Sequence, residues 1–218
     1  MNAAPRIAAL FPQRAVAYQT RDAISAASLL PEEQQSLLRA APKRISEFAA
    51  GRACARAALS QLGYGAVALP AGADRAPCWP AGVTGSITHT HGYCAAVVAA
   101  TTQIRALGLD AEPHDSVKPH LWRRICCPEE LATLQAHEAV AALAAATLIF
   151  SAKEAFYKCQ HTLTGEWLGF TDIAVNIESD HFSVRPTRSL QIAALHPGPW
   201  KGGYLHEQGL VIAGFCIV

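Results

Sequence analysis

Residues 148–159 read LIFSAKEAFYKC. At about 100° per residue, Leu148, Ile149, Ala152, Ala155, Phe156 and Cys159 fall within roughly one third of a helix circumference. That stripe is a core face, so the segment is expected to be a helix lying on an apolar surface. Glu154 and Lys158 sit one turn apart on another face, where such a pair is ordinarily solvated and contributes about 0.2–0.5 kcal/mol. Working outward, helical material is expected over 128–160. Upstream, IRALGLDAEP at 104–113 reads as a strand stopped by Pro113. Before it, GSITH (85–89) and YCAAVVAA (93–100) flank the turn-prone THG and read as a hairpin.

Pro31 followed by Glu32 and Glu33 marks a helix start, and a longer helical pattern covers 45–62 and stops at Gly63. Short β-like runs follow at 172–177 and 181–184. The order of helices and strands predicts an α+β fold. Each half reads as a long helix followed by strands, which suggests a duplicated α+β unit with halves 1–104 and 105–218. Residues 189–218 match no motif.

The chain has 218 residues, of which 51% are hydrophobic and 16% charged, so it can bury a substantial core and is not a disordered polymer. A formal net charge of +1 argues against a general nucleic-acid binder, so any anion site must be local. Seven cysteines without a CxxC pair, and no secretory pattern at the start, lead to an expectation of reduced thiols in the cytoplasm. Cys126 and Cys127 have no partners at zinc-site spacing and read as packing residues. The apolar run 139–150 is too short to span a bilayer, and no membrane anchor is expected.

In GLDAE, strand alternation puts Asp110 and Glu112 on one face, about 6–7 Å apart. They repel each other unless water or a cation separates them. On spacing alone the pair is either an exposed acidic strand end or part of an oxygen-ligand site suited to Mg²⁺. A third carboxylate would decide, and Glu154 is the candidate. His89 ends the GSITH run beside Gly85, Ser86 and Thr88, residues that approach phosphate oxygens closely. The HTH spacing of His89 and His91, with His114 beyond, opens a zinc reading, but no further ligand follows in register. Lys43, Arg44, Arg52 and Arg56 surround the first long helix. They are either a solvated face or a phosphate clamp.

These segments, in this order, resemble the phosphopantetheinyl transferases of the surfactin-synthetase and enterobactin-synthetase type. The resemblance runs through SEFAAGRACARAAL (46–59), RAPCWPAGVTGSITHT (75–90), LGLDAE (107–112), CPEEL (127–131) and FSAKEAFYK (150–158). The RxPxWPxGxxGSITH run points to the enterobactin-like branch. The resemblance implies two similar α+β halves related by a pseudo-twofold axis, with coenzyme A in the cleft between them, in a protein that is usually a monomer. It implies an Mg²⁺-dependent transfer of the 4′-phosphopantetheine arm of coenzyme A to a serine of an apo acyl or peptidyl carrier protein, with release of adenosine 3′,5′-bisphosphate.

By the same resemblance Asp110, Glu112 and Glu154 are the metal ligands, Glu154 is also a candidate base, and Lys158 neutralises the diphosphate. Lys153 belongs to the family's Lys-Glu signature. His89 and Thr88 match the segment that meets the phosphates of coenzyme A. Lys43, Arg44 and Arg52 match the basic region around the 3′-phosphate, and Arg75 matches a position near the adenine. His91 receives no role. Two rival readings use the same residues: an Mg²⁺-dependent nucleotide diphosphate hydrolase, which would consume coenzyme A without a carrier, and a non-catalytic coenzyme A-binding module, which would tolerate loss of Glu154 but not of Arg52.

Overall fold

In the computed structural model, which describes residues 6–218, the chain separates after Arg105 into two units, each a long helix on an antiparallel sheet. The first unit runs through β1 (Val16–Thr20), a single turn α1 (Pro31–Gln34), the long α2 (Pro42–Gln61), β2 (Val83–Thr90) and β3 (Tyr93–Ala100). Pro42 sets the first helical φ of α2, three residues ahead of the predicted start. Phe48, Ala49, Cys54, Ala55, Ala58 and Leu59 of this helix are buried, and its later turns pack on Val83, Cys94, Ala96 and Val98. Gly51 permits that approach: a Cβ there would lie 3.0 Å from Ile87 Cγ2.

The predicted hairpin is β2–β3, with Thr90 opposite Tyr93 and Gly92 at φ 65° in the two-residue turn. The strand order is β1-β3-β2. β1 went unread, because five residues, VAYQT, carry too little alternation to stand out.

The second unit contains β4 (Ala106–Pro113), α3 (Pro119–Ile125), α4 (Pro128–Ala136), α5 (Ala139–Thr164), β5 (Ile173–Ile177), β6 (His181–Pro186), the short α6 (Ile192–Leu195), β7 (Trp200–Glu207) and β8 (Leu210–Ile217). Its strand order is β4-β8-β7-β6-β5. The single helix expected over 128–160 is two. His137 and Glu138 are extended (ψ 154° and 151°), and this break lets α4 follow β5 while α5 lies on β4 and β8.

By length and composition α5 is apolar enough to cross a membrane, yet Ala152, Ala155, Phe156 and Cys159 are part of the buried core of this unit. β7 and β8 occupy the segment that carried no motif. They join through Gln208 and Gly209, both at positive φ, the geometry that matches strand twist in a tight hairpin.

The two units share a wiring rule. In each, the first strand pairs antiparallel with the last, β1 with β3 and β4 with β8. In each, a Pro-Glu-Glu helix start buries its second glutamate. Glu33 accepts the Leu30 N–H (2.9 Å), the Leu69 N–H (3.0 Å) and Arg56 Nη1 (2.5 Å) from α2. Glu130 accepts the Cys127 N–H (2.6 Å), the Val175 N–H (2.6 Å) and Lys153 Nζ (2.7 Å) from α5. Both glutamates stand 23 residues before their cation.

Candidate functional site

β4 and α5 meet backbone to backbone. A Cβ on Gly108 would fall 1.8 Å from the Ala155 carbonyl oxygen, so only glycine fits there. Strand alternation carries Asp110 and Glu112 onto the same face as Gly108, toward the helix that bears Glu154 and Lys158. Lys158 Nζ donates to Asp110 Oδ1 (2.7 Å) and to the Leu109 carbonyl (3.0 Å). Burial, reinforced by the Asp110 charge, pushes the Glu112 carboxyl up to about 7. Glu154 is raised as well, chiefly by burial; Lys158 opposes the rise and Asp110 adds to it.

Three carboxylates thus share one partly dry region with a single ammonium. Their all-oxygen donor set and excess negative charge are the chemistry of a hard divalent cation site. As the side chains stand, no three His, Cys, Asp or Glu among the described residues are grouped to hold a metal ion, and Lys158 is the cation against Asp110.

Lys153, next to Glu154 in sequence, is turned away from this cluster and buried. Its Nζ donates to the Ile125 carbonyl (2.8 Å), Glu130 Oε2 (2.7 Å) and the Phe170 carbonyl (2.8 Å). It ties the end of α3, the start of α4 and the loop after α5 to the turn of α5 that carries Glu154. Cys126 and Cys127 are buried at the same junction, as expected, with Cys127 Sγ 3.3 Å from the Ile173 carbonyl.

In the first unit, Lys43, Arg44 and His89 gather around Glu47. Arg44 Nη1 lies 2.9 Å from His89 Nε2, His89 Nδ1 is 3.9 Å from Glu47 Oε2, and Lys43 Nζ is 3.9 Å from Glu47 Oε1. A guanidinium only donates, so His89 Nε2 accepts and the proton of a neutral ring sits on Nδ1, facing Glu47. Thr88 is buried on the opposite face of β2 from His89.

Arg52 also departs from an open clamp. It is 5% exposed, its Nε donates to the Leu69 carbonyl at 2.6 Å, and its Cζ lies 3.8 Å from the Phe48 ring centroid. Burial lowers its pKa to about 10, and its Nη2 is buried without a hydrogen-bond partner among the described residues. Arg56 is committed to Glu33. Arg75 stands at φ 68° on the tip of a separate turn, its N–H donating to the Gly72 carbonyl.

A recess of about 90 Å³ opens beside Glu154. Tyr157, Trp167, Leu168 and Phe170 line it, with Trp167 77% exposed and set edge-on to Tyr157.

Two family models match the chain. One is described as the 4′-phosphopantetheinyl transferase N-terminal domain, over residues 32–99, and the other as the 4′-phosphopantetheinyl transferase superfamily, over 106–213. The 4′-phosphopantetheinyl transferase Svp of Streptomyces mobaraensis is 38% identical over 97% of this chain and 89% of its own length. The chain belongs to the 4′-phosphopantetheinyl transferase family.

Among other members, the transferase PptT of Mycobacterium tuberculosis is 42% identical over 69% of this chain, and the match spans 66% of its length. Enterobactin synthase component D of Escherichia coli is 38% identical over 67% of this chain and 68% of its own. A solved structure, the Helicobacter pylori holo-[acyl-carrier-protein] synthase in complex with coenzyme A, has a TM-score of 0.39 at 16% identity, over 51% of this chain and 99% of its own.

In this transferase-family chain, reading by residue type missed three features that the structure reveals. Glu47 is one charge among several on α2 and gives no signal of its own in the sequence. Glu130 lay in the quoted CPEEL motif, but nothing in the sequence said that it is buried. Trp167 sits in TGEWLGF, where an aromatic between two glycines was the available signal.

Proposed function

We propose that the chain moves the 4′-phosphopantetheine arm of coenzyme A onto a serine of an apo acyl or peptidyl carrier protein. The observation that carries this reading is the Asp110, Glu112, Glu154 and Lys158 assembly that β4 and α5 build across the Gly108–Ala155 contact. The serine oxygen attacks the phosphorus that bears the pantetheine. The bond from that phosphorus to the bridging oxygen breaks, and adenosine 3′,5′-bisphosphate leaves. Glu154, whose burial raises its affinity for a proton, takes the proton of the serine. Lys158 exchanges Asp110 for the diphosphate.

The three carboxylates are the residues that would hold Mg²⁺, which supplies electrostatic stabilisation of the diphosphate. Lys43, Arg44 and His89 serve the nucleotide phosphates in this reading, with Arg52 buried behind them against Leu69 and Phe48, Thr88 behind His89 and Arg75 nearer the adenine. Because Arg44 donates to His89 Nε2, an arriving phosphate takes over that Arg44 donor and leaves the imidazole free to turn. Position and charge do most of the work expected of such a site. The cytoplasm is the compartment proposed, in keeping with seven free cysteines.

Intact-mass spectrometry of apo acyl and peptidyl carrier proteins, incubated with the protein, coenzyme A and Mg²⁺, tests the reading. A gain of one phosphopantetheine that EDTA abolishes is the expected result. Breakdown of coenzyme A without a modified carrier would replace this reading with the hydrolase, and intact coenzyme A with unmodified carriers would replace it with the binding module.

A further inference from the structure

The loop at 165–172 forms the outer wall of the recess beside Glu154, and most of it is fastened by one side chain from elsewhere in the unit. Arg188 Nη1 donates to Glu166 Oε1 (2.8 Å) and the Ser189 carbonyl (2.9 Å), while Nη2 reaches Asp172 Oδ2 (3.0 Å) and the Trp167 carbonyl (3.5 Å). The two carboxylates pass this restraint on. Glu166 Oε2 accepts the Gln191 N–H (2.8 Å), and Asp172 Oδ2 accepts the Gly169 N–H (2.8 Å). Trp167 and Leu168 therefore lie between two anchored points. On the inner side the buried Lys153 holds the Phe170 carbonyl, and at its start Gly165 closes α5 in the left-handed conformation.

We propose that Arg188 is a positioning residue: through Glu166 and Asp172 it keeps the 165–172 loop folded over the recess, so that Trp167, Leu168 and Phe170 wall the pantetheine arm beside Glu154. This deepens the transferase reading and rests on it. The recess is apolar except for the Lys153 and Glu154 edge, and the arm is the part of coenzyme A that adjoins the reacting phosphorus. An arm walled on that side gains affinity from the loop, whereas the nucleotide end does not. The carboxylates that Arg188 meets are Glu166 and Asp172 of the loop, not Asp110, Glu112 or Glu154, so it acts through the loop. Because it lies on the surface, removing it loosens the loop without opening the core.

The test compares wild type, Arg188→Ala and Arg188→Lys in the full chain. Two exposed charge pairs in one network shift a loop equilibrium by about three- to tenfold. Arg188→Ala is therefore expected to raise KM for coenzyme A by that factor, with kcat changed less than twofold. Arg188→Lys should recover part of the loss, because an ammonium keeps one of the two pairs. The inhibition constant of adenosine 3′,5′-bisphosphate, which lacks the arm, should not move. Acrylamide quenching of tryptophan fluorescence should rise in Arg188→Ala, and that rise should vanish in a Trp167→Phe background.

An unchanged KM with unchanged quenching overturns the proposal, as does an equal weakening of adenosine 3′,5′-bisphosphate binding or a fall in Tm of more than a few degrees. If wild type modifies no carrier at all, the transferase reading fails, and the quenching comparison still decides whether Arg188 holds the loop.

Discussion

Two neighbouring residues, Lys153 and Glu154, look equivalent as letters and are opposites in physics. Lys153 is an ammonium with three acceptors in a dry junction, and removing one partner of a buried pair strands the other charge, at a cost of about 3–5 kcal/mol. Glu154 borders a recess and carries no structural hydrogen bond of that kind among the described residues. Lys153→Ala is therefore expected to lower Tm steeply and to lose activity with the fold. Glu154→Gln is expected to lose at least a hundredfold in carrier modification with Tm within about 2 °C of wild type, as seen by calorimetry and intact mass together. Full activity in Glu154→Gln would remove it from the reaction.

Glu112 gives the converse case. Its carboxylate is held in a partly dry place beside Asp110, so Glu112→Gln removes a poorly solvated charge and with it a repulsion, and is expected to stabilise the protein without metal by about 1 kcal/mol at pH 8 while abolishing transfer. Denaturant unfolding of the EDTA-treated proteins measures the gain, and a loss of stability would show that the repulsion is already relieved.

Elements position these residues through close contacts that leave no slack. Gly108 is the position where β4 touches α5, two residues before Asp110, and Gly108→Ala places a carbon against the Ala155 carbonyl that neither backbone can absorb without moving. Overpacking of this kind costs about 1–3 kcal/mol or more. Separating the strand from the helix also pulls Asp110 from Lys158. The variant is expected to be less stable and, at a temperature where it is still folded, to transfer more slowly than wild type. Normal kinetics in the folded variant would mean that the strand and helix can part without disturbing the site.

The helix break at His137 and Glu138 matters at the same scale. Apolar periodicity continues through it, because α4 and α5 both bury one face in the same unit, and periodicity alone does not mark where one helix ends and the next begins. The β7–β8 hairpin hid for a related reason. Its turn is Gln-Gly rather than Asn-Gly, and β7, WKGGYLHE, mixes glycines and charges without a clean alternation, whereas β8 is one apolar run.

Across the molecule, surface charge and buried charge respond differently to solution conditions. Arg188 holds Glu166 and Asp172 below their ordinary carboxylate ranges through hydrogen bonds with it. A carboxylate depressed in the folded state contributes stability that is present above its unfolded pKa and lost as pH falls through its folded one. The clamp is thus fully formed above about pH 5 and dissolves in acid below the ordinary carboxylate range. Melting curves from pH 7 to pH 2.5 should show wild type and Arg188→Ala converging as acid removes the clamp, and a gap that widens in acid would contradict that sign.

Sequence by itself was enough for the α+β class, the β2–β3 hairpin, the long first-unit helix, the family resemblance and the choice of Asp110, Glu112, Glu154 and Lys158 as candidates. Each of these depends on local periodicity, turn chemistry or residue type at fixed spacing, which a linear string records. Tertiary structure alone decided that Lys153 and Arg52 are buried, that Glu47 stands between Lys43 and His89, that Glu33 and Glu130 are matching buried anchors, and that Arg188 reaches back to the loop carrying Trp167. Those are pairings between distant segments. Whether a charge is solvated or enclosed depends on which surface folds over it, and no spacing along one element contains that information.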